Sequence, residues 1–192
     1  MRQLIVQEWI SLDGFTSDQN DKLHFFAHTV REVYADDHHK PILETIDCIL
    51  LGRKTYEQFA GVWPTRSTEG DLLALKMNTA EKIVFSGSIA KAPWGKWKEG
   101  SVEKGDPIAC VRKLKLSLGK NIVVWGSIAL VQLLVQNNLV DELHLFVSPV
   151  ITGGGRKLFP EAVDPVSLTL RESKQYNSGV VLLSYQNKNL KL

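Results

Sequence analysis

The chain has 192 residues, 44% of them hydrophobic, which suits a single domain with a full core over residues 1–192. Its 23 basic and 21 acidic residues leave a net charge of only +2, and the lysines from Lys91 to Lys115 are interspersed with acids and apolar positions, so they read as a solvated face and exclude a nucleic-acid surface. Cys48 and Cys110 sit in apolar surroundings and read as small buried hydrophobes in a reducing compartment; with no N-terminal signal and no apolar run of transmembrane length, a soluble cytoplasmic protein is expected.

In chain order, Gln3 to Ile10 is predicted to be a strand that ends in the turn Ser11-Leu12-Asp13-Gly14. Leu23 to Asp47 carries apolar residues at helical spacing and reads as mostly helical, with Pro41 opening a second segment. Ile49 to Leu51 is a short buried strand leading into Gly52-Arg53-Lys54-Thr55, a turn that opens a helix. Ala60 to Gly70 is a loop, Leu72 to Asn78 a short helix, and Lys82 to Phe85 a strand closed by Ser86-Gly87-Ser88. Val102 belongs to a further strand, and Pro107 opens a helix through Leu118.

The stretch from Asn121 to Gly155 organises the rest. Ile122 to Trp125 is an apolar, β-branched run, Gly126-Ser127 a turn, Ile128 to Val135 a helix, and Leu143 to Val150 a strand running into Gly153-Gly154-Gly155. The tail supplies two strands, Ser167 to Tyr176 and Val180 to Gln186, joined by Asn177-Ser178-Gly179. Strands alternating with helices and closed by an antiparallel hairpin predict a three-layer α/β domain with a mixed, mostly parallel sheet.

Three strand ends share one chemistry. Gly52-Arg53-Lys54-Thr55, Ser86-Gly87-Ser88 and Gly126-Ser127 combine glycine, hydroxyls and charge with a flexible turn, two of them at helix starts whose N–H groups and dipole favour an anion. Ligands of open α/β sheets bind beyond the carboxyl ends of the strands, so these turns can meet in one crevice suited to a phosphorylated dinucleotide. No GxGxxG is present, which argues against an ordinary Rossmann site. Taken singly, each turn is equally a capped helix or a plain turn.

Ser11-Leu12-Asp13-Gly14, Leu50 to Glu57, Trp125-Gly126-Ser127 and Leu139-Val140-Asp141-Glu142-Leu143-His144-Leu145, followed by Pro149 and Gly153 to Gly155, together resemble the dihydrofolate-reductase-like family. The branch they resemble contains the C-terminal reductase domain of bifunctional riboflavin biosynthesis proteins and its stand-alone bacterial relatives. The resemblance implies a dihydrofolate-reductase-like sheet, NADPH as hydride donor, a small-molecule substrate and a homodimer. It assigns the cofactor phosphates to Gly52, Arg53 and Thr55, the adenosine 2′-phosphate to Ser86 and Ser88, and further cofactor contacts to Gly126, Ser127, Ile128 and Ala129; Lys54, Gly87 and Ile10 beside these turns are further candidate cofactor contacts.

The sequence also departs from that pattern. Riboflavin reductases are similar to one another in a lysine four residues before the serine of Ser-Leu-Asp-Gly, where this chain has Gln7. They carry Asp-Asp-Pro after the second strand, where this chain has Glu57-Gln58-Phe59-Ala60. Dihydrofolate reductases place an acid on the first helix, to which Asp36 roughly corresponds. Asp13, at the end of the first strand, is the candidate proton donor, with a turn-shaping role as its alternative. Trp9 and Trp63 are candidate stacking surfaces for a flat substrate or else packing. His144 reads as structural or interfacial, and His38-His39 lack the further ligands a metal site needs. Apolar residues on both faces of Leu143 to Val150 predict a covered strand, with a second subunit as the expected cover.

Two functions remain open on the residues: an NADPH-dependent reductase of a small heterocyclic (pterin- or pyrimidine-like) or carbonyl substrate, or a non-catalytic nucleotide-binding or scaffolding protein. For the first, the ribosylaminopyrimidine phosphate of the riboflavin pathway is expected to be a poor substrate, because Gln7 and the Trp63-Pro64 segment replace the charges that would hold its phosphate.

Overall fold

The computed structural model describes residues 1–27, 29–159 and 165–188. Its sheet has nine strands: β1 (Leu4–Ser11), β2 (Ile46–Gly52), β3 (Glu81–Phe85), β4 (Ala92–Trp94), β5 (Trp97–Glu103), β6 (Asn121–Trp125), β7 (Glu142–Ser148), β8 (Leu168–Gln175) and β9 (Val181–Asn187). The order across the sheet is β4-β5-β3-β2-β6-β1-β7-β9-β8. The run from β5 to β7 is parallel, and β4, β9 and β8 are antiparallel to their neighbours. All eight residues of β1 are buried, as a strand near the middle of a two-sided sheet requires.

Helices cover both faces. The strand alternation sends Leu4, Val6, Cys48, Leu50 and Val124 to one side, where α6 (Pro107–Leu116) and α7 (Ile128–Gln136) lay down Val111, Val131 and Leu134. It sends Ile49, Leu51 and Val123 to the other, against Leu43 of α3 (Lys40–Glu44), Tyr56 of α4 (Arg53–Ala60) and Met77 of α5 (Leu72–Thr79). On that same side, Val33 of α2 (Val30–Ala35) closes over Trp9, Phe146 and Leu182. The strand Leu143 to Val150 is therefore covered on both faces by this chain's own helices, and its apolar faces call for no second subunit. Among the described residues no helix is long and apolar enough to cross a membrane.

Two segments differ from the expectation. Leu23 to Asp47 is mostly helical with Pro41 in the first turn of α3, as expected, but it breaks further into α1 (His24–Ala27) and α2, with a 3-10 turn at Asp37–His39, and its last residues already belong to β2. Asp36 breaks the run: its backbone turns extended after α2, and its carboxylate accepts the His38 N–H and takes Lys174 Nζ at 2.6 Å. The lysine-rich stretch after Ser88 contains the β4–β5 hairpin, turned by Gly95 and Lys96 between the paired Trp94 and Trp97. Pro93 masks β4 in the sequence, since proline is tolerated only on an edge strand such as this one. Cys48 is buried, whereas Cys110 is half-buried on α6.

His39 locks the helical segment to the C-terminal hairpin. It is wholly buried, and its Nε2 shares a 2.8 Å hydrogen bond with the Tyr176 hydroxyl. Burial, helped by His38 and His144, pushes its pKa down to about 4 from 6.5. A folded pKa below the unfolded one means that the contribution to stability is complete above pH 6.5 and is lost as pH falls from there toward 4. One pKa unit is about 1.4 kcal/mol, so the loss amounts to roughly 3 kcal/mol. Denaturant titrations of the wild type and His39→Gln should converge as pH falls from 7 to 4.5; parallel stability curves would show that His39 is not held neutral.

Candidate active site

The carboxyl ends of β3, β2 and β6 lie side by side, Gly52 paired with Phe85 and Leu50 with Val124. The turns after β2 and β6 are stitched into one unit. Ser127 Oγ accepts the Gly52 N–H at 2.7 Å, and Thr55 Oγ1 accepts the Ser127 N–H at 2.9 Å. Gly126 and Ser127 both hold left-handed backbone, with φ of 62° and 58°. A Cβ on Gly126 would stand 2.9 Å from Thr55 Cγ2, so the close approach of the two turns requires glycine there. Strain of this sort at Ser127 persists only where the surroundings fix it, as these two hydrogen bonds do.

This stitching uses the Gly52 N–H and the oxygens of both hydroxyls internally. What it leaves facing outward are the first-turn N–H groups of α4 and α7, and neither helix has a side-chain cap. Arg53 pairs with Glu57 at 2.9 Å on the exposed side of α4, while Lys54 makes no ion pair among the described residues.

Beside these turns lies a cavity of about 470 Å³, within the range of small-molecule sites. It opens where the sheet forks. β1 pairs with β6 only as far as Gln7↔Trp125, and from Glu8 onward it pairs with β7 alone. Gly52 to Thr55 and Gly126 to Ala129 form one wall, and Trp9, Phe26, Tyr34, Phe59 and Trp63 form an aromatic one. Trp9 stacks on Phe146 with ring centroids 4.1 Å apart, and its buried Nε1 has no partner. Trp63 stands edge-on to Phe59 and lies under the Arg66 guanidinium, which is itself paired with Asp71 at 2.8 Å.

Gln7 forms the floor and is fully engaged. Its Oε1 accepts Trp125 Nε1 at 2.7 Å and the Tyr34 hydroxyl at 3.3 Å, and its Nε2 donates to His144 Nδ1 at 3.0 Å. His144 in turn reaches Glu142 at 3.2 Å, so it is a buried structural link. Glu8, next on the strand, also lines the cavity and is 5% exposed.

The structure gathers Gly52, Arg53, Lys54, Thr55, Gly126, Ser127, Ile128, Ala129, Trp9 and Trp63 around this cavity. Ser86, Gly87 and Ser88 do not line it. They lie one strand further out, Ser86 half-buried and Gly87 and Ser88 exposed, with Ser86 Oγ accepting the N–H groups of Ser88 and Ile89. Ile10 belongs to the apolar core beneath α7. Asp13 also stands outside the cavity lining. The Ser11 hydroxyl at 2.6 Å and the N–H groups of Gly153 and Thr152 hold its carboxylate ionised, down to about 2, so it shapes the turn and carries no proton to give. Asp36 is likewise held ionised by Lys174.

Among the lining residues that escape the sequence reading, Glu8 and Arg156 bear ionisable groups. Glu8 is hidden in a strand that reads as simply buried. Arg156 reaches the cavity because Gly153 to Gly155 fold back on Thr16 to Asp18, with the Thr16 N–H on Arg156 O at 2.7 Å. The only signal of it in the sequence is a cation directly after three glycines.

Residues 2–182 match the family model of the RibD C-terminal domain, nearly the whole chain. The chain belongs to the RibD C-terminal domain family. Among its relatives is the uncharacterized protein YyaP of Bacillus subtilis (strain 168), 27% identical over 96% of this chain and 94% of its own. A crystal structure from Shewanella sp. PV-4, provisionally named a riboflavin biosynthesis protein, is 21% identical and superposes with a TM-score of 0.78 over 97% of this domain and 99% of that chain. Dihydrofolate reductase from Enterococcus faecalis, solved with NADP(H), is 14% identical and superposes with a TM-score of 0.62 over 97% of both chains. The fold of this RibD C-terminal domain is therefore dihydrofolate-reductase-like. The mixed sheet with its antiparallel C-terminal strands agrees with the sequence expectation.

Proposed function

We propose that this RibD C-terminal domain is an NADPH-dependent reductase of a small, flat heterocyclic or carbonyl compound bound in the crevice between β1 and β6. The observation that carries the reading is the composition of one cavity, whose lining combines the uncapped starts of α4 and α7, with Lys54 and Arg53, and a set of aromatic rings with buried polar groups. The wall of helix starts suits a pyrophosphate, and the aromatic one a nicotinamide beside a planar substrate. Lys54 and the first-turn N–H groups of α4 and α7 would hold the cofactor phosphates, and the cofactor would supply the hydride. The half-buried Ser86 and exposed Ser88, at the end of the next strand, would supply hydroxyl donors to an adenosine 2′-phosphate. A homodimer remains part of this proposal, though no longer on account of β7.

The charge on this wall favours a phosphorylated cofactor. Fluorescence titration should give NADPH at least about tenfold tighter binding than NADH. The double variant Arg53→Ala/Lys54→Ala should lose most of that difference. Equal affinities in the wild type would remove the support for NADPH.

The substrate side offers a phosphate little. Gln7 is committed to its three partners, Arg66 is held by Asp71, and the exposed Arg156 is a single cation in water's competition. A neutral substrate lying on Trp9 or Trp63 fits better than a ribosylaminopyrimidine phosphate.

A further inference from the structure

Glu8 is a buried acid in the cavity that the cofactor reading leaves without a task. Its neighbour Gln7 shows what a purely structural polar residue looks like here, with both amide atoms partnered. Glu8 differs: its Oε1 is buried and has no hydrogen-bond partner. It forms no ion pair among the described residues. It stands at the fork where β1 leaves β6, and it lines the cavity there.

A carboxylate withdrawn from water with no cation beside it takes up a proton instead of staying charged. Burial pushes Glu8 well above the usual carboxylate range, with only the Gly126 N–H acting the other way. The charged and titratable groups that face the same cavity are Tyr34, Arg53, Lys54, Asp21 and Arg156. Tyr34 is itself held protonated by burial and by Glu8. The other candidate acids, Asp13 and Asp36, are fixed as carboxylates outside it. Of these three acids, only Glu8 lines the cavity, keeps an oxygen without a partner and is pushed toward its protonated form.

We propose that Glu8 is the general acid of the reduction, donating its carboxyl proton to the nitrogen or oxygen of a C=N or C=O bond in the substrate. The proposal rests on the reading of the cavity as a reductase site. In the step, the substrate carbon gains the hydride, the π electrons move to nitrogen or oxygen, and that atom takes the Glu8 proton. A new C–H and a new N–H or O–H bond form, the oxidised cofactor and the Glu8 carboxylate remain, and water returns the proton to Glu8. The substrate class this selects presents an uncharged acceptor atom to Glu8 while its ring lies on the aromatic wall; an anionic oxygen there would meet a group that resists becoming charged beside it.

Glu8→Gln keeps shape and neutrality but has no proton to give. Infrared spectra of the cofactor-free protein at neutral pH should show a protonated-carboxyl C=O band that this substitution removes and that disappears in the wild type at high pH. With NADPH and three probes, a dihydropterin, a cyclic imine and an aromatic aldehyde, Glu8→Gln should lower kcat by roughly 10²–10⁴-fold. NADPH affinity should stay within threefold, and the alkaline fall in the wild-type rate should vanish. An ionised Glu8 at neutral pH overturns the proposal. So does a variant that reduces a probe within threefold of the wild type, or a wild type that binds NADPH and reduces none of the three. Failure to bind NADPH, with the infrared band present, instead counts against the cofactor reading on which the proposal stands.

Discussion

Gln7→Lys is expected to destabilise the protein by about 4 kcal/mol, although it installs the residue that riboflavin reductases resemble one another in having at this position. Gln7 is 1% exposed, and its Oε1 accepts Trp125 Nε1 at 2.7 Å. Lysine has three donors and no acceptor, so it would orphan the indole N–H, deprive the Tyr34 hydroxyl of an acceptor, and bury an ammonium beside His144. Each orphaned buried group costs about 1–3 kcal/mol and the unpaired charge about as much again, which no contact from the longer chain offsets. Urea titration should show the midpoint falling with unchanged slope. A loss below about 1 kcal/mol would mean that the network around Gln7 rearranges freely.

Gly155→Ala should be nearly as damaging, and its neighbour supplies the control. At Gly155 φ is +131°, and an added Cβ would lie 1.9 Å from the Ser17 carbonyl oxygen and 2.8 Å from its carbon. That carbonyl cannot retreat, because Ser17 is buried and its Oγ accepts the Arg156 N–H at 3.1 Å. The loop must come off Thr16 to Asp18, at a cost of about 3 kcal/mol or more, and Arg156 leaves the cavity with it. Gly153 also has positive φ, +67°, but nothing lies within 4 Å of its Cβ, so Gly153→Ala should cost only about 1 kcal/mol. Equal losses at the two glycines would show that the packing of this loop on Ser17 is not what glycine serves.

Most of the sheet is legible in the sequence because its central strands are short apolar runs bounded by glycine. Ile49 to Leu51 and Ile122 to Trp125 lie in strands, and the turns after them are where the helices begin. The glycine turns announce this wall of the cavity for the same reason: only residues that tolerate close backbone approach can stand where two turns are stitched together. What is not legible is anything that depends on partners far along the chain. Asp36 breaks the helical run by binding Lys174, more than a hundred residues away, and Pro93 conceals a strand whose edge position only the sheet order reveals. Asp13 looks like a proton donor until Gly153 and Thr152 are seen to hold it. Glu8 looks like one more buried strand residue until the fork between β1 and β6 places it in the cavity. Local pattern gives elements; the protonation state of an acid is set by what folding brings around it.

The claim that the uncapped starts of α4 and α7 receive the phosphates of NADPH is open to one direct measurement, amide hydrogen exchange with and without the cofactor. Saturating NADPH should slow exchange by about tenfold or more at the first-turn amides Lys54, Thr55, Ile128 and Ala129, with no such change in the β8–β9 hairpin. Unchanged exchange at those four amides in the presence of bound NADPH, or protection centred elsewhere, would contradict it.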